Sequence, residues 1–120
     1  MSKVLVVDDS ATMREMIGKL LKDNGLTVEM AGDGLEAQAQ CKSAPPDLVI
    51  TDIVMPRMNG YELCRWLKAD ASIKHIPVVL CTSKGEEFDR YWGMKQGADA
   101  YIAKPFKTAE LLDTVRQLLK

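Results

Sequence analysis

Five short apolar segments recur along the chain, and each is followed by a stretch with helical periodicity. The segments lie at residues 3–7, 27–31, 48–52, 78–82 and 100–103. The first, third and fourth contain runs of apolar residues without a polar face, as in strands that are buried on both sides of a parallel sheet. Strands that alternate with helices, joined by right-handed crossovers, predict an α/β fold with helices on both faces of one sheet.

Residues suited to capping mark the predicted ends of the helices. Ser10 and Thr108 are suited to accept hydrogen bonds from the backbone at the starts of the first and last helices. The other predicted boundaries are starts at Asp33-Gly34, Asn59-Gly60 and Glu86-Glu87, and ends at Gly25 and Gly97. The inward faces predicted for the first and last helices are Met13, Met16, Ile17, Leu20 and Leu21, and Leu111, Leu112, Val115, Leu118 and Leu119.

These units predict a single domain over residues 1–120, with a doubly wound, five-stranded parallel sheet and five helices. A chain of 120 residues suits one hydrophobic core. A closed barrel would need eight strand–helix units and therefore a longer chain.

Composition narrows the class of protein. The chain is 47% hydrophobic and 28% charged, with a net charge of −1, which is ordinary for a globular domain. Its basic residues are dispersed, so we predict no direct binding of nucleic acid, and its apolar runs are too short to span a bilayer. Cys41, Cys64 and Cys81 lack CxxC spacing. They predict buried free thiols, and with no signal-peptide pattern at the N-terminus we predict a cytoplasmic protein.

Polar residues stand where the predicted strands end. Asp8 and Asp9 follow the first strand, and Asp52 ends the third. Thr82 ends the fourth strand and Lys104 follows the fifth. In open α/β sheets, ligands bind at this carboxyl edge. Asp52 taken alone is better explained as a turn residue, but five such residues at one edge indicate a functional site.

The chemistry of this set suits phosphoryl transfer to a carboxylate. Three neighbouring carboxylates repel each other unless a cation neutralises them, and Mg²⁺ prefers such oxygen ligands. Lys104 adds an ammonium group and Thr82 a hydroxyl group. A nucleophile, a metal site and two groups for the transferred oxygens are therefore present together.

The chain resembles the receiver domain of two-component response regulators. The resemblance rests on Asp8-Asp9, on Asp52 with Met55-Pro56, on Asn59-Gly60, on Thr82-Ser83 and on Lys104-Pro105-Phe106. These motifs match in order and spacing, and they cover essentially the whole chain. The resemblance implies a flavodoxin-like fold with the strand order 2-1-3-4-5 and a cis peptide bond between Lys104 and Pro105.

The resemblance also implies roles for the acidic residues. Asp52 would be the phosphoacceptor, receiving a phosphoryl group from the histidine of a sensor kinase or phosphotransfer domain. Asp9, Asp52 and the backbone carbonyl of Val54 would bind Mg²⁺ directly, and Asp8 would act mainly through water.

The remaining roles implied by the resemblance concern signal output. Thr82 and Lys104 would contact the phosphoryl oxygens. Tyr101 lies at the family's switch position, and we expect it to turn inward from an outward position when Thr82 moves toward the phosphoryl group. The downstream protein would then bind the face formed by the fourth helix, the fifth strand and the fifth helix. Tyr91, Trp92 and Met94 on the fourth helix allow two interpretations, a partner surface or packing on the sheet.

Three other functions share part of this pattern. A phosphatase of the haloacid dehalogenase type requires a second Asp two residues after the nucleophile, where this chain has Val54. A flavodoxin-like cofactor carrier requires a phosphate-binding loop after the first strand, where Asp8-Asp9 would repel a phosphate. A degenerate receiver that acts only by binding is disfavoured because the acidic residues are all present.

We therefore expect a stand-alone receiver that is not an enzyme toward other substrates. We expect it to be a monomer or a weak, phosphorylation-dependent dimer. Residues 89–99 are similar to receivers of twitching-motility and phototaxis systems, which suggests a motility or taxis output.

Overall fold

The computed structural model describes residues 2–120, over which the chain forms five strands and five helices in alternation. The strands are β1 (Lys3–Val7), β2 (Thr27–Ala31), β3 (Leu48–Thr51), β4 (Val78–Thr82) and β5 (Ala100–Ala103). The helices are α1 (Ala11–Lys22), α2 (Gly34–Ser43), α3 (Gly60–Ala69), α4 (Glu87–Lys95) and α5 (Thr108–Leu118). The predicted number and order of elements are confirmed.

The strands form one parallel sheet in the order β2-β1-β3-β4-β5. This confirms the doubly wound, flavodoxin-like fold. Val7, the last residue of β1, pairs with Ala31 of β2 and with Thr51 of β3. On the other side of the sheet, Thr82 pairs with Ala103. The polar residues that follow the strands therefore emerge side by side at one edge.

The sheet lies between two hydrophobic layers because successive side chains of a strand point to opposite faces. Leu5 and Val7 pack with α2 and α3 on one face, whereas Val4 and Val6 pack with α1 and α5 on the other. These four side chains are at most 1% exposed. Burial on both faces explains why β1 has no polar positions.

Three of the predicted helix starts are stabilised by side-chain caps. Ser10, Asp33 and Asn59 each accept a hydrogen bond from the backbone of the third residue beyond them. Asn59 forms a reciprocal capping box with Glu62. The prediction for Thr108 was wrong by one position. The extended backbone ends at Lys107, so Thr108 is already the first residue of α5, and no side-chain cap bond forms there.

The inward face predicted for α1 is correct except for Met16. Ile17 and Leu21 of this helix are at most 1% exposed, whereas Met16 is 49% exposed. Ile17 and Leu21 lie four residues apart and share the stripe that faces the sheet, and Met16 lies at the edge of that stripe.

Helix α4 turns its large apolar side chains outward. Within residues 87–95, the buried residue is Gly93. Tyr91, Trp92 and Met94 are 58%, 45% and 44% exposed. Packing on the sheet, one of the two interpretations of these residues, is therefore wrong.

Two further sequence predictions concern the membrane and the thiols. Along residues 2–120, the helices are all too short or too polar to cross a membrane. Cys41, Cys64 and Cys81 are buried and free, as predicted.

Candidate functional site

Three carboxylates meet at the carboxyl edge of the sheet. Asp8, Asp9 and Asp52 each present an oxygen, and these oxygens all lie within 4.8 Å of one another. Their closeness follows from the register, since β1 and β3 are neighbours and end together. Asp8 is buried and Asp9 is exposed, with Asp52 in between. The site is therefore an acidic cluster that is partly exposed to solvent.

Lys104 brings a positive charge to the same cluster. Its Nζ lies 2.8 Å from Oδ2 of Asp8 and 3.3 Å from Oδ2 of Asp52. Burial disfavours the ammonium form, but the hydrogen bonds and negative charges of the two carboxylates outweigh it and raise the pKa of Lys104. The side chain is therefore cationic at neutral pH and connects the end of β5 to the ends of β1 and β3.

Asp52 is held by the backbone of the loop that follows it. Its Oδ1 accepts hydrogen bonds from the N–H groups of Ile53, at 2.6 Å, and Val54, at 3.4 Å. Gly60 makes the return of the chain possible, because a Cβ there would lie 2.1 Å from the carbonyl oxygen of Asp52. The glycine of the Asn59-Gly60 motif thus packs the start of α3 directly against the site.

The set of donors at this edge fits a Mg²⁺ ion. Carboxylate oxygens are the ligands that this hard cation prefers, and a cluster of three would be stabilised by it. Asp9 and Asp52 would hold the ion, with the backbone carbonyl of Val54 as the third predicted protein ligand. Asp8 is already engaged, because Oδ1 accepts from the N–H of Ser10 at 2.9 Å and Oδ2 pairs with Lys104. The indirect role of Asp8 stays a prediction.

Thr82 and Tyr101 lie on the adjacent strands β4 and β5. Thr82 is fully buried, and its Oγ1 accepts a hydrogen bond from the N–H of Lys84 at 3.3 Å. Tyr101 is only 5% exposed, and its hydroxyl donates to the carbonyl of Lys84. The guanidinium of Arg90 lies 5.2 Å from the centre of the Tyr101 ring. The expected outward position of Tyr101 is therefore not the one in this structure.

The inward position of Tyr101 has a steric cause in α4. A Cβ at Gly93 would lie 3.0 Å from two carbons of the Tyr101 ring and 2.8 Å from Leu80. The missing side chain provides the space that the ring fills, and burial of the ring raises the pKa of Tyr101. The Lys104–Pro105 peptide bond is cis, as the resemblance implied.

Two contacts next to the site were not predicted from the sequence. The Arg14 guanidinium donates to the backbone carbonyl of Asp8 at 2.6 Å. Arg57, which has φ of 67°, pairs with the buried carboxylate of Asp33. Arg14 lies one helical turn after the cap Ser10, so this contact near the site could have been predicted from the spacing in the sequence. The pairing of Arg57 with Asp33 joins two loops that are distant in sequence, and no local pattern signals it.

The family model of the response regulator receiver domain matches residues 4–116. The chain belongs to the response regulator receiver family. Its fold, its strand order and the acidic cluster at the carboxyl edge agree with that membership.

Two curated relatives of this receiver differ in how much of their own length it spans. The DNA-binding response regulator MtrA of Mycobacterium tuberculosis is 41% identical over 118 residues, which is 98% of this chain and 50% of MtrA. The chain thus spans about half the length of MtrA. Protein PilH of Pseudomonas aeruginosa is 39% identical over 119 residues, and the match covers 99% of this chain and 98% of PilH.

Solved structures agree with this assignment. The chemotaxis response regulator CheY4 of Vibrio cholerae has a TM-score of 0.92 at 36% identity, with 99% of both chains covered. The receiver domain of a signal transduction histidine kinase from Syntrophus aciditrophicus has a TM-score of 0.93 at 38% identity. It covers 99% of this chain and 90% of that one.

Proposed function

We propose that this receiver accepts a phosphoryl group from the histidine of a sensor kinase or phosphotransfer domain onto Asp52. The observation that carries the proposal is the convergence of Asp8, Asp9, Asp52 and Lys104 at one partly open edge. Of the four, Asp52 lies at the end of the central strand β3, and its side chain is 14% exposed. It is therefore reachable from solvent and still surrounded by the charges that phosphoryl transfer needs.

The transfer is a displacement at phosphorus. A carboxylate oxygen of Asp52 attacks the phosphorus, the new O–P bond forms, and the N–P bond to the donor histidine breaks with its electron pair going to the imidazole. Lys104 stands 3.3 Å from Asp52 and provides a positive charge for the incoming oxygens. Thr82 at the end of β4 provides a hydroxyl for the same oxygens.

Mg²⁺ completes this site in the proposal, held by Asp9, Asp52 and the Val54 carbonyl. When bound, it supplies positive charge that offsets the negative charge gathering between carboxylate and phosphoryl group. We propose that the protein promotes only its own phosphorylation and dephosphorylation and does not turn over other substrates.

Substitution of the acceptor tests the proposal. With Mg²⁺ and acetyl phosphate, the native chain should gain the mass of one phosphoryl group, and Asp52→Asn should gain none because the nucleophile is lost while the shape is kept. Asp113→Asn removes an exposed carboxylate on α5 and should behave as the native chain does. Phosphorylation of Asp52→Asn at the native level, or full phosphorylation in excess chelator, would refute the assignment.

The output surface in this proposal is the face formed by α4, β5 and α5. It is supported by the exposed aromatic side chains of α4 and by the contact of Tyr101 with that helix. A phosphoryl group adds charge and strong acceptors near Thr82, and a shift of Thr82 would change the packing around Tyr101. Thr82→Ala should still be phosphorylated but should bind its partner with little dependence on phosphorylation. Retention of full dependence would contradict this route.

We also propose a motility or taxis output. The support is the similarity to CheY4, which is a chemotaxis response regulator, and to PilH, which matches this chain over nearly its full length.

A further inference from the structure

We propose that the ion pair between Asp33 and Arg57 is a latch that positions the loop of residues 52–59, so that the oxygens of Asp52 and Val54 are preorganised for a divalent cation. This inference rests on the proposed function of the acidic cluster. It assigns a positioning role to two residues that belong neither to the cluster nor to the output face.

The pair itself is well defined. Asp33 uses one carboxylate oxygen to accept from the N–H of Glu36 at 3.0 Å, which caps α2. The other oxygen accepts from Nε of Arg57 at 2.9 Å and also from its Nη2. The carboxylate is 9% exposed, and these hydrogen bonds, first that of Glu36 and then those of Arg57, lower its pKa. The Asp33 carboxylate is therefore a buried charge that is paired with Arg57.

The backbone conformation of Arg57 indicates that its side chain holds the residue in place. Its φ of 67° lies in the left-handed region, which glycine adopts freely and a side chain with a Cβ adopts at a cost. An arginine at such a position has to be held there by another interaction. The two hydrogen bonds that its guanidinium donates to one carboxylate oxygen of Asp33 are such an interaction.

The loop also lies directly on the first turn of α2. A Cβ at Gly34 would lie 2.8 Å from the carbonyl oxygen of Met58 and 2.7 Å from its Cγ. Gly34 follows Asp33, and Met58 follows Arg57, so the close approach and the ion pair occur at the same point. Together they fix the distal half of the loop against α2.

The other end of the loop is coupled to the acidic cluster. The N–H of Gly60 donates to the carbonyl of Ile53 at 2.9 Å, which closes the loop. The N–H groups of Ile53 and Val54 in turn donate to the carboxylate of Asp52. A displacement of the loop would therefore turn the Asp52 carboxylate and move the Val54 carbonyl. Such outer contacts commonly set the affinity of a metal site.

A double-mutant cycle on Mg²⁺ affinity separates positioning from simple electrostatics. Arg57→Gly removes a positive charge and suits the left-handed backbone, whereas Asp33→Asn removes a negative charge and keeps a good helix cap. Both variants should therefore fold. Electrostatics alone predicts opposite effects, with tighter Mg²⁺ binding in Arg57→Gly and weaker binding in Asp33→Asn. The latch predicts weaker binding in both.

The measurement is a titration with MgCl₂, followed by the backbone amide shifts of Asp9, Asp52 and Val54. We expect each single variant to bind Mg²⁺ about tenfold more weakly, and the double variant to be no weaker than the single ones, because the latch is lost only once. Glu29→Gln, which removes one carboxylate from the ion pair with Lys3 on the β1–β2 side of the sheet, is the control and should bind as the native chain does.

The outcomes distinguish the latch from the proposed function. Opposite shifts in the two single variants, or native affinity in both, overturn the latch while phosphorylation of the native chain still supports the acceptor role of Asp52. Failure of the native chain to bind Mg²⁺ at the acidic cluster overturns the proposed metal site and the latch with it. Weaker, non-additive binding in both variants, with urea midpoints close to native, supports the latch.

Discussion

Helices α4 and α5 flank the same strand, β5, yet they are attached to the protein in different ways. Helix α5 buries Leu111, Leu112 and Val115 in the core. Helix α4 buries Gly93 and leaves Phe88, with the aromatic and methionine side chains that follow it, exposed. The exposed fraction of Phe88 is 73%.

The difference lies in which side chains face inward. The inner surface of α4 is formed by Gly93 against the ring of Tyr101 and by polar contacts. Arg90 donates to the backbone carbonyl of Tyr101 at 3.0 Å, and the hydroxyl of Tyr61 donates to the carbonyl of Asp89 at 3.2 Å. Burial of apolar area contributes about 25 cal/mol of stabilising free energy per Å². Docking therefore stabilises α4 less than it stabilises α5. Helix α4 can therefore shift at lower cost than α5.

We expect the largest change in the free energy of unfolding when a core residue of α5 is truncated, and a much smaller change for an aromatic residue of α4. Leu111→Ala should lower the free energy of unfolding by about 2–5 kcal/mol, because it leaves a cavity in a packed layer. Trp92→Ala should lower it by less than about 0.5 kcal/mol, as expected for an exposed position. Urea unfolding followed by circular dichroism measures both. Equal losses would contradict the weaker docking of α4.

A smaller effect is expected where α4 rests on Tyr101. In Gly93→Ala, the added methyl group meets the Tyr101 ring, and overpacking costs about 1–3 kcal/mol. A gain of about 1 kcal/mol in helix propensity offsets part of this cost. We expect a net loss on the order of 1 kcal/mol and an outward shift of the ring.

Tyrosine ionisation reports on the position of the ring. Burial raises the pKa of Tyr101 in the native chain, so the native ring should stay protonated at a pH where a free tyrosine ionises, at about 10. In Gly93→Ala, absorbance at alkaline pH should show one additional tyrosine that titrates near the ordinary value. Met94→Ala removes a neighbouring exposed side chain and is the control. An unchanged titration in Gly93→Ala would mean that Gly93 does not control the ring.

We expect the smallest effect for the reactivity of two buried thiols, Cys41 and Cys64. Burial raises the pKa of both Cys41 and Cys64 to about 11, so the thiolate fraction is low in both at neutral pH. The Sγ of Cys64 lies 3.5 Å from the carbonyl of Gln96 at the end of α4, and Cys41 lies on α2.

Undocking of α4 should therefore uncover Cys64 before Cys41. In variants that retain one cysteine each, an aromatic disulfide reagent should modify Cys64 several-fold faster than Cys41, and Gly93→Ala should widen the difference. A faster reaction at Cys41 would indicate that α2 opens more readily than α4.

Much of this protein was determined by its sequence alone. Apolar runs of strand length between amphipathic segments predicted the sheet, and the carboxyl ends of those strands predicted where Asp8, Asp9 and Asp52 would meet. Capping by Ser10 and Asn59 was predictable because each cap depends on residues that are only a few positions apart. The neighbour relations of the strands came from the family resemblance.

The remaining features depend on contacts between elements that are distant in the sequence. Tyr101 is inward because Gly93, on a different element, leaves room for its ring. The helical period of α4 does not tell which of its faces meets the sheet, since apolar residues lie on several of them. Arg57 and Asp33 are 24 positions apart, and their pairing depends on how two loops are brought together by the strands. Local patterns determine which residues share a face, whereas contacts between faces depend on where the whole chain places them.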